Sequence, residues 1–201
     1  MKYGVFLLFL MIIGCSKSNS DKNVTAEKSA AKKVSYNDFL RSVKDKSETE
    51  KRNYLFTFIN DDVPNYWAGT PWSFNGTTRN PQRGSIACGY FVTNTLTDFG
   101  FVINRTYLAQ QASSVMIKKL CKNIQYFGKR RDLEQYILNK DKNKVYIVGL
   151  DFHTGFITRE NKDTYFIHSS YIKNTGVVKE LTATSQALNA SKTFMIGTLN
   201  Y

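Results

Sequence analysis

The stretch Arg83-Gly84-Ser85-Ile86-Ala87-Cys88-Gly89-Tyr90-Phe91-Val92-Thr93-Asn94-Thr95-Leu96-Thr97-Asp98-Phe99-Gly100 decides how this chain folds. Cys88 follows a short run of small residues. Apolar residues at helical spacing come after it and end at the stop signal Gly100: Phe91, Val92, Leu96 and Phe99. This pattern predicts a buried helix with Cys88 in or near its first turn. There the macrodipole and the unpaired backbone N–H groups favour a thiolate and can stabilise a developing oxyanion, so we expect a low-pKa nucleophile.

The chain has only two histidines, His153 and His168, and both follow the cysteine in sequence. They lie in the β-rich runs 153–159 and 164–171, which are separated by turn-forming residues at 160–163. A hairpin with this turn places both histidines at the same end of neighbouring strands, within side-chain reach of each other. Thiol hydrolysis requires a thiol, an imidazole and a polar group that orients the imidazole. The sequence therefore indicates a thiol hydrolase.

Several structural explanations for these residues stay open from sequence alone. Cys88 could be a buried core thiol, or it could form a disulfide with Cys121 in an exported protein. His168 could have a purely structural role. Asp151, two residues before His153, would face the same side of the strand and competes with His168 for the orienting role. One cysteine and two histidines at these separations lack the spacing of a zinc site, so we predict no metal and no cofactor.

The first residues have the pattern of a bacterial export signal. Lys2 precedes a near-continuous apolar run, residues 5–13, which is too short for a stable transmembrane helix. Ile12-Ile13-Gly14-Cys15 resembles the lipobox of bacterial lipoproteins, in which the cysteine is diacylated and becomes the first mature residue. The alternative is an ordinary secretory signal with a coincidental cysteine. We predict a signal peptide at 1–14 and a lipid-anchored protein of the cell envelope, on the periplasmic or the surface side.

The segment 15–34 is predicted to be the lipid anchor and a flexible tether, because Ser, Lys, Asn, Asp and Ala dominate it. Residues 35–201 are expected to form one domain, with 42% hydrophobic residues in the whole chain. Lys and Arg number 28 against 16 Asp and Glu, a net charge of +12. This charge favours binding to an anionic polymer or to a membrane surface. The alternative is a basic surface that is merely solvated. Since no nucleic-acid motif is present, we predict no nucleic-acid partner; the oligomeric state is left open.

Helix patterns precede strand patterns along the chain. Ser35 is predicted to cap a helix over residues 36 to about 51, and Thr106 to cap another over residues 106–120, with a third helix at 130–139. The β-rich runs follow: 144–152, 153–159, 164–171, 177–181 and 193–199. Because the connections between these runs are too short for parallel crossovers, the strands should pair antiparallel, and the fold class is α+β.

Residues 61–85 are predicted to form a long irregular loop that contains all three prolines and several aromatic side chains. A loop of this kind directly before a candidate nucleophile is typical of a cleft wall. We therefore predict that Tyr66, Trp67 and Trp72 contact the substrate. The alternative is a loop that packs its own aromatic side chains.

The order of these motifs resembles the NlpC-type family of cell-wall cysteine peptidases. The shared features are an aromatic loop, a cysteine at a helix start followed closely by Phe91-Val92, a His153-Thr-Gly-Phe-Ile strand and a Phe-Ile-His168-Ser strand after a turn. Ala87 replaces the family's Asp before the cysteine, and Gly89-Tyr90 replace its Ser-Gly. The resemblance implies a papain-like fold, with Cys88 as nucleophile, His153 as base and His168 as orienting residue.

The resemblance also implies the substrate, which is the peptide stem of peptidoglycan, cleaved at an amide bond. Tyr66 is the nearest equivalent of a tyrosine that the family places near the thiol. Two other functions stay open. The chain could be a non-catalytic lipoprotein that binds the cell envelope, or a thioesterase or lipid amidase of the same fold, since the aromatic loop could equally line an acyl pocket.

Overall fold

An antiparallel β-sheet forms the centre of the fold in the computed structural model, which describes residues 34–201. Within these residues the sheet has six strands, and every neighbouring pair is antiparallel. The strands are β1 (Cys121–Phe127), β2 (Tyr146–Gly149), β3 (Thr154–Glu160), β4 (Asp163–Ser170), β5 (Gly176–Leu181) and β6 (Phe194–Leu199). Their spatial order is β1-β6-β2-β3-β4-β5. The predicted α+β class and antiparallel pairing are confirmed.

Helices precede the sheet and also lie between its strands. They are α1 (Tyr36–Lys44), α2 (Glu48–Thr57), α3 (Val63–Trp67), α4 (Cys88–Phe99), α5 (Arg105–Ala109), α6 (Ser113–Leu120), α7 (Arg130–Leu138) and α8 (Gln186–Ala190). A π-helical turn (Phe58–Asp62) joins α2 to α3, and a 3₁₀ turn (Ile172–Asn174) joins β4 to β5.

The sheet is apolar on both faces because successive side chains of a strand point to opposite sides. On one face Ile147, Phe156 and Ile167 pack with the helices that precede β1, α4 among them. On the other face the strand residues Val148, Ile157 and Phe166 pack with helix residues. These are Leu133 of α7 and Leu188 of α8. The sheet is therefore a middle layer, which explains why its central strands are almost continuously buried.

Helix α4 confirms the prediction made from the opening stretch. It begins at Cys88 and ends at Phe99, and Gly100 follows with φ 123°, a conformation that glycine adopts most easily. The residues from Gly89 to Leu96 are all buried, so the helix is enclosed by other elements and is not half-exposed. Cys88 thus lies in the first turn of a central helix, as the sequence predicts.

Two of the predicted helices are each divided into two shorter helices. The helix predicted over 36–51 ends at Lys44, and Ser47 begins α2 with a capping box to Glu50. The predicted cap at Ser35 is confirmed, since its side chain accepts a hydrogen bond from the backbone N–H of Asp38. The helix predicted over 106–120 is divided into α5 and α6, and Asn104 caps α5 in place of Thr106.

Strand β1 was not among the predicted strands. Its residues are half-buried or exposed, and its register with β6 shifts between Lys122 and Gln125, so it lacks a regular alternation of apolar residues. Residues 54–59, for which no helix or strand is predicted from the sequence, complete α2 and begin the π-helical turn.

The predicted signal peptide, the lipidated Cys15 and nearly all of the predicted tether lie outside the described residues. Within residues 34–201, none of the helices is long and apolar enough to cross a membrane.

Candidate active site

Backbone hydrogen bonds hold the approach to Cys88 on two sides. The N–H of Ile86 donates to the carbonyl of Pro71 at 2.9 Å, and the N–H of Ala87 donates to the carbonyl of Gly76 at 2.8 Å. On the sheet side, the buried hydroxyl of Ser169 donates to the carbonyl of Ile86 at 2.7 Å. The start of α4 is therefore fixed between the preceding loop and strand β4.

Gly89 allows α4 to lie against the end of α5. A Cβ atom at this position would be 2.4 Å from the carbonyl oxygen of Ala109, a distance that real Cβ atoms do not adopt. The neighbouring atom belongs to the backbone and cannot rotate away. Gly89 is thus required by close packing next to the candidate nucleophile.

The two histidines meet, as the predicted hairpin requires. His153 lies directly before β3 and His168 lies on β4, and Nε2 of His153 is 2.7 Å from Nδ1 of His168. Nε2 of His168 is in turn 3.1 Å from a carboxylate oxygen of Glu180 on β5. These three side chains form a hydrogen-bonded series that crosses β3, β4 and β5.

The Glu180 carboxylate determines where the protons lie along this series. An ionised carboxylate only accepts hydrogen bonds, so Nε2 of His168 must carry the proton that it donates. Nδ1 of neutral His168 is then an acceptor, and Nε2–H of His153 donates to it. Nδ1 of His153 is left with its lone pair, which is the arrangement required of a proton acceptor.

Both imidazoles are neutral near pH 7 because they are buried. Burial lowers the pKa of His153 to about 3, and the adjacent His168 adds to this effect. Burial also lowers the pKa of His168, although Glu180 opposes the shift. Burial raises the pKa of Glu180, but the hydrogen bonds from His168 and Ser185 outweigh it and leave the pKa below its ordinary value. Glu180 therefore remains ionised.

The expectation of a low-pKa thiol is wrong for this structure. Burial raises the pKa of Cys88, and the backbone N–H groups of Thr154, Gly89 and Cys88 itself only partly oppose that shift. In the resting protein a neutral thiol is thus combined with a neutral imidazole. The same backbone contacts place the first residue of β3 next to the sulfur, and two N–H groups of the first turn of α4 can hold an oxyanion.

Cys88 and His153 lie together on the wall of a cleft of about 760 Å³. Its other walls come from the loop before α4, the end of α5 with the residues after it, and the residues that follow β2 and β4. The lining side chains and backbone belong to Trp72, Phe74, Asn75, Thr77, Ala87, Gly89, Tyr90, Ala109, Gln110, Gln111, Phe152 and Tyr171. A substrate in this cleft would contact the thiol and the imidazole at once.

Trp72, one of the three aromatic residues predicted to bind substrate, lines this cleft. Within the described residues, Tyr66 and Trp67 do not line it. Trp67 is 0% exposed and packs edge-on against Tyr36 and Phe91. Tyr66 contacts the rings of Tyr36 and Phe39 of α1. The prediction fails for these two because residues 63–67 form α3, which turns both side chains toward α1 and the core.

Asp151 does not contact the histidine series in the described structure. Its carboxylate accepts hydrogen bonds from the backbone N–H groups of Lys192 and Thr193, and from the Thr193 hydroxyl. Of the two candidates for orienting His153, His168 is the one that contacts it.

Cys121 and Cys88 are both free thiols within residues 34–201, so the alternative of a disulfide between them is not realised. Cys121 packs near Gly197 and Ile117 at the start of β1.

Glu180 was missed in the sequence. Val178 pairs with His168 across β4 and β5, so Glu180 lies on the same face of β5, one strand period further along. A Cβ at Gly155 would lie 2.7 Å from Cβ of His168 and 2.7 Å from the Phe166 ring. Gly155 thus leaves space for His168, which stacks on Phe166 at 3.9 Å between ring centroids. The signal that could have identified Glu180 was the β4–β5 register, which sequence patterns do not define.

Tyr171 also lies at the site, with its ring centroid 5.2 Å from that of His153. Taken together, these residues provide a nucleophile, a proton acceptor, an orienting group and donors for an oxyanion. Comparison of the chain with protein-family models, curated proteins and solved structures finds no match, so its function must be inferred from the geometry of this site.

Proposed function

We propose that this protein is a cysteine hydrolase that cleaves amide bonds with Cys88, His153 and His168. The observation that carries the proposal is the Glu180–His168–His153 hydrogen-bonded series, whose terminal imidazole shares a cleft with a thiol in the first turn of α4. A nucleophile, a base and an orienting group are the requirements of covalent thiol catalysis.

The first half of the reaction forms a thioester. Nδ1 of His153 takes the thiol proton as the Cys88 sulfur bonds to the substrate carbonyl carbon, because no thiolate is formed in advance. The backbone N–H of Cys88 binds the oxyanion of the tetrahedral intermediate. The C–N bond then breaks, and the leaving amine receives the proton from His153.

The second half releases the acyl group. His153 takes a proton from water as the water oxygen bonds to the thioester carbon. The C–S bond then breaks, and His153 returns the proton to the Cys88 sulfur, which regenerates the thiol and releases the carboxylic acid. In both halves His153 carries a positive charge for a time. His168 and Glu180 stabilise that charge through the two hydrogen bonds, so the series both orients the base and offsets its protonation.

The cellular setting in this proposal comes from the resemblance to NlpC-type peptidases and from the lipobox. The protein is exported, anchored through Cys15 to a bacterial membrane, and folded in the papain-like manner. The resemblance names peptidoglycan stem peptides as the substrate. A cysteine at the start of a helix that packs on an antiparallel sheet bearing the histidines supports the fold assignment.

A non-catalytic envelope-binding protein is the less favoured function. Burying two imidazoles beside a carboxylate is unfavourable unless their hydrogen bonds are all made, and a binding protein has no need of the arrangement. The thioesterase or lipid amidase alternative is favoured by one specific observation, the uncharged lining of the cleft.

The test is a covalent intermediate. Full-length protein is incubated with peptidoglycan fragments and, separately, with N-acyl amides, and acyl adducts are mapped by mass spectrometry. We expect an acyl group on Cys88 and release of the amine. Cys121→Ala is the matched control and should behave as the wild type, whereas Cys88→Ala should form no adduct. Equal amine release by wild type and Cys88→Ala with every substrate would refute the proposal.

A further inference from the structure

The cleft that contains Cys88 is lined by five aromatic side chains and by the uncharged polar side chains of Asn75, Thr77, Gln110 and Gln111. Trp72, Phe74, Tyr90, Phe152 and Tyr171 all contribute to its walls. Phe74 is 81% exposed and Phe152 is 97% exposed, so two phenylalanine rings face solvent at one site. Single exposed apolar residues are common on protein surfaces, but a group of them around a cleft indicates a binding site for an apolar ligand.

The same walls have no charged side chain within the described residues. The guanidinium of Arg105 lies 4.8 Å from the Tyr90 ring, but it donates to the side-chain oxygen of Asn94 and to the carbonyl of Thr77. Asp151 lines an adjoining pocket that shares Cys88 and His153 with the cleft, and its carboxylate accepts hydrogen bonds from residues 192 and 193.

This chemistry disfavours a peptidoglycan stem peptide as the group held in the cleft. Stem peptides carry free carboxylates and amines, and transfer of such charges into an apolar site without partners is strongly unfavourable. A hydrocarbon chain, in contrast, gains affinity for each methylene that leaves water, about fourfold when burial is complete. The aromatic walls therefore discriminate between the two substrate classes.

We infer, on the basis of the proposed cysteine hydrolase, that the substrate is a fatty-acyl compound whose uncharged chain lies in the aromatic cleft. Its carbonyl carbon is the atom attacked by Cys88, its amide or thioester bond is the one that breaks, and the chain remains in the cleft as the acyl-enzyme until water releases it. Phe74 and Phe152 contact the chain and determine its preferred length.

The inference is tested with p-nitroanilides that differ only in the acyl group. Acetyl, butyryl, hexanoyl and octanoyl anilides are compared with the adipoyl anilide, a six-carbon acyl group that ends in a carboxylate. For the full-length wild type we expect kcat/KM to increase about two- to fourfold per methylene. The adipoyl compound should react at least about tenfold more slowly than the hexanoyl compound.

Variants locate the preference in the cleft. In Phe74→Ser with Phe152→Ser the dependence of kcat/KM on chain length should largely disappear. Tyr126→Ser is the matched control, because Tyr126 is 67% exposed on the edge strand β1 and is not part of the cleft. This control should keep the wild-type dependence. Alkylation of Cys88 by N-hexyl chloroacetamide and by its carboxylated analogue gives a second measure, and the hexyl reagent should react faster.

The outcomes separate this inference from the proposed hydrolase. Turnover that requires Cys88 but is independent of chain length, or fastest with stem peptides, would overturn the acyl assignment and leave the hydrolase intact. Preferential alkylation by the hexyl reagent without turnover of any substrate would overturn the hydrolase, and the acyl substrate with it. A chain-length dependence that is unchanged in the double variant would overturn the role of Phe74 and Phe152.

Discussion

The two histidines occupy unequal positions, and their removal should have unequal effects. Only Nδ1 of His153 is available to take the thiol proton, whereas His168 contacts His153 and Glu180. We predict that His153→Ala reduces turnover to the level of Cys88→Ala, since positioned proton transfer contributes about 10²–10⁴-fold. His168→Ala should retain measurable turnover, because a basic imidazole remains but is no longer oriented.

His168→Gln provides the control for that prediction. Its amide oxygen can accept the hydrogen bond from His153, and its NH₂ group can donate to Glu180. We expect it to restore part of the turnover lost in His168→Ala, as measured by single-turnover rates. Equal losses in His153→Ala and His168→Ala, without recovery in His168→Gln, would show that the roles of base and orienting residue are wrongly assigned.

The two thiols are predicted to react at different rates with iodoacetamide. Burial raises the pKa of Cys121 to about 12, while backbone N–H groups limit the rise for Cys88, which also lines the cleft. Cys88 should be modified first, and its rate should increase up to about tenfold per pH unit between pH 6.5 and 8.5, in proportion to the thiolate fraction. Mass mapping over a pH series measures both rates.

A rate for Cys88 that does not change with pH would contradict this prediction, because it would indicate a thiolate–imidazolium pair that exists before substrate binds. Cys121→Ala serves as the control and should leave the rate at Cys88 unchanged. At this scale the sequence correctly predicted that His153 and His168 contact each other and that Cys88 lies in the first turn of α4. It could not predict the state of the thiol, which depends on burial by α5 and β3.

At the scale of elements, the contact between α4 and α5 positions Cys88, the proposed nucleophile. We predict that Gly89→Ala destabilises the protein by about 1–2 kcal/mol, because overpacking against the Ala109 carbonyl exceeds the gain in helix propensity. Urea unfolding measures the change. Gly128→Ala is the matched control, since a Cβ there would meet no atom within 4 Å. A stability of Gly89→Ala equal to that of the wild type would show that α5 can move away from α4.

The elements that sequence patterns predict well are those whose signals are local. Helix α4 has an apolar stripe and a glycine stop, and the β3–β4 hairpin has its turn residues between two alternating runs. Strand β1 has no such signal because it gains its structure by pairing with β6 at the far end of the chain. The burial of Trp67 likewise depends on α1, which packs over α3 from a distant part of the sequence.

At the scale of the whole molecule, the cleft combines segments that are far apart in sequence. Its walls come from the loop before α4, the residues after α5 and the connections that follow β2 and β4. Short-range patterns can identify each segment but not the side chains that face one another across the cleft. For this reason the contact between His153 and His168 could be predicted from the sequence, whereas the aromatic side chains of the cleft and Glu180 required the structure.

The buried histidines should also make the stability of the fold depend on pH. Both have a pKa below the ordinary value of 6.5, that of His153 being about 3. The unfolded chain therefore binds more protons than the folded protein below about pH 6.5, and the free energy of unfolding should decrease as the pH falls. Each histidine contributes a slope of at most about 1.4 kcal/mol per pH unit.

Within residues 34–201, two carboxyl groups oppose this dependence, because burial raises the pKa of Asp98 and that of Asp62. Burial raises the pKa of Asp98 from 3.8 to about 6, so the folded protein binds the extra proton between these values and gains stability as the pH falls. The two histidines outweigh Asp98 and the smaller shift of Asp62, so a net loss of stability remains as the pH falls from 6.5 to 5. We expect the wild-type Tm to decrease clearly between pH 7.5 and pH 5. In the double variant His153→Gln with His168→Gln the decrease should be smaller, because neither position then carries a titrating group.

Asp98→Asn is the opposing control and should show a steeper decrease than the wild type. Parallel Tm curves for all three proteins would contradict the prediction, since they would show that the imidazoles are protonated equally in the folded and unfolded states.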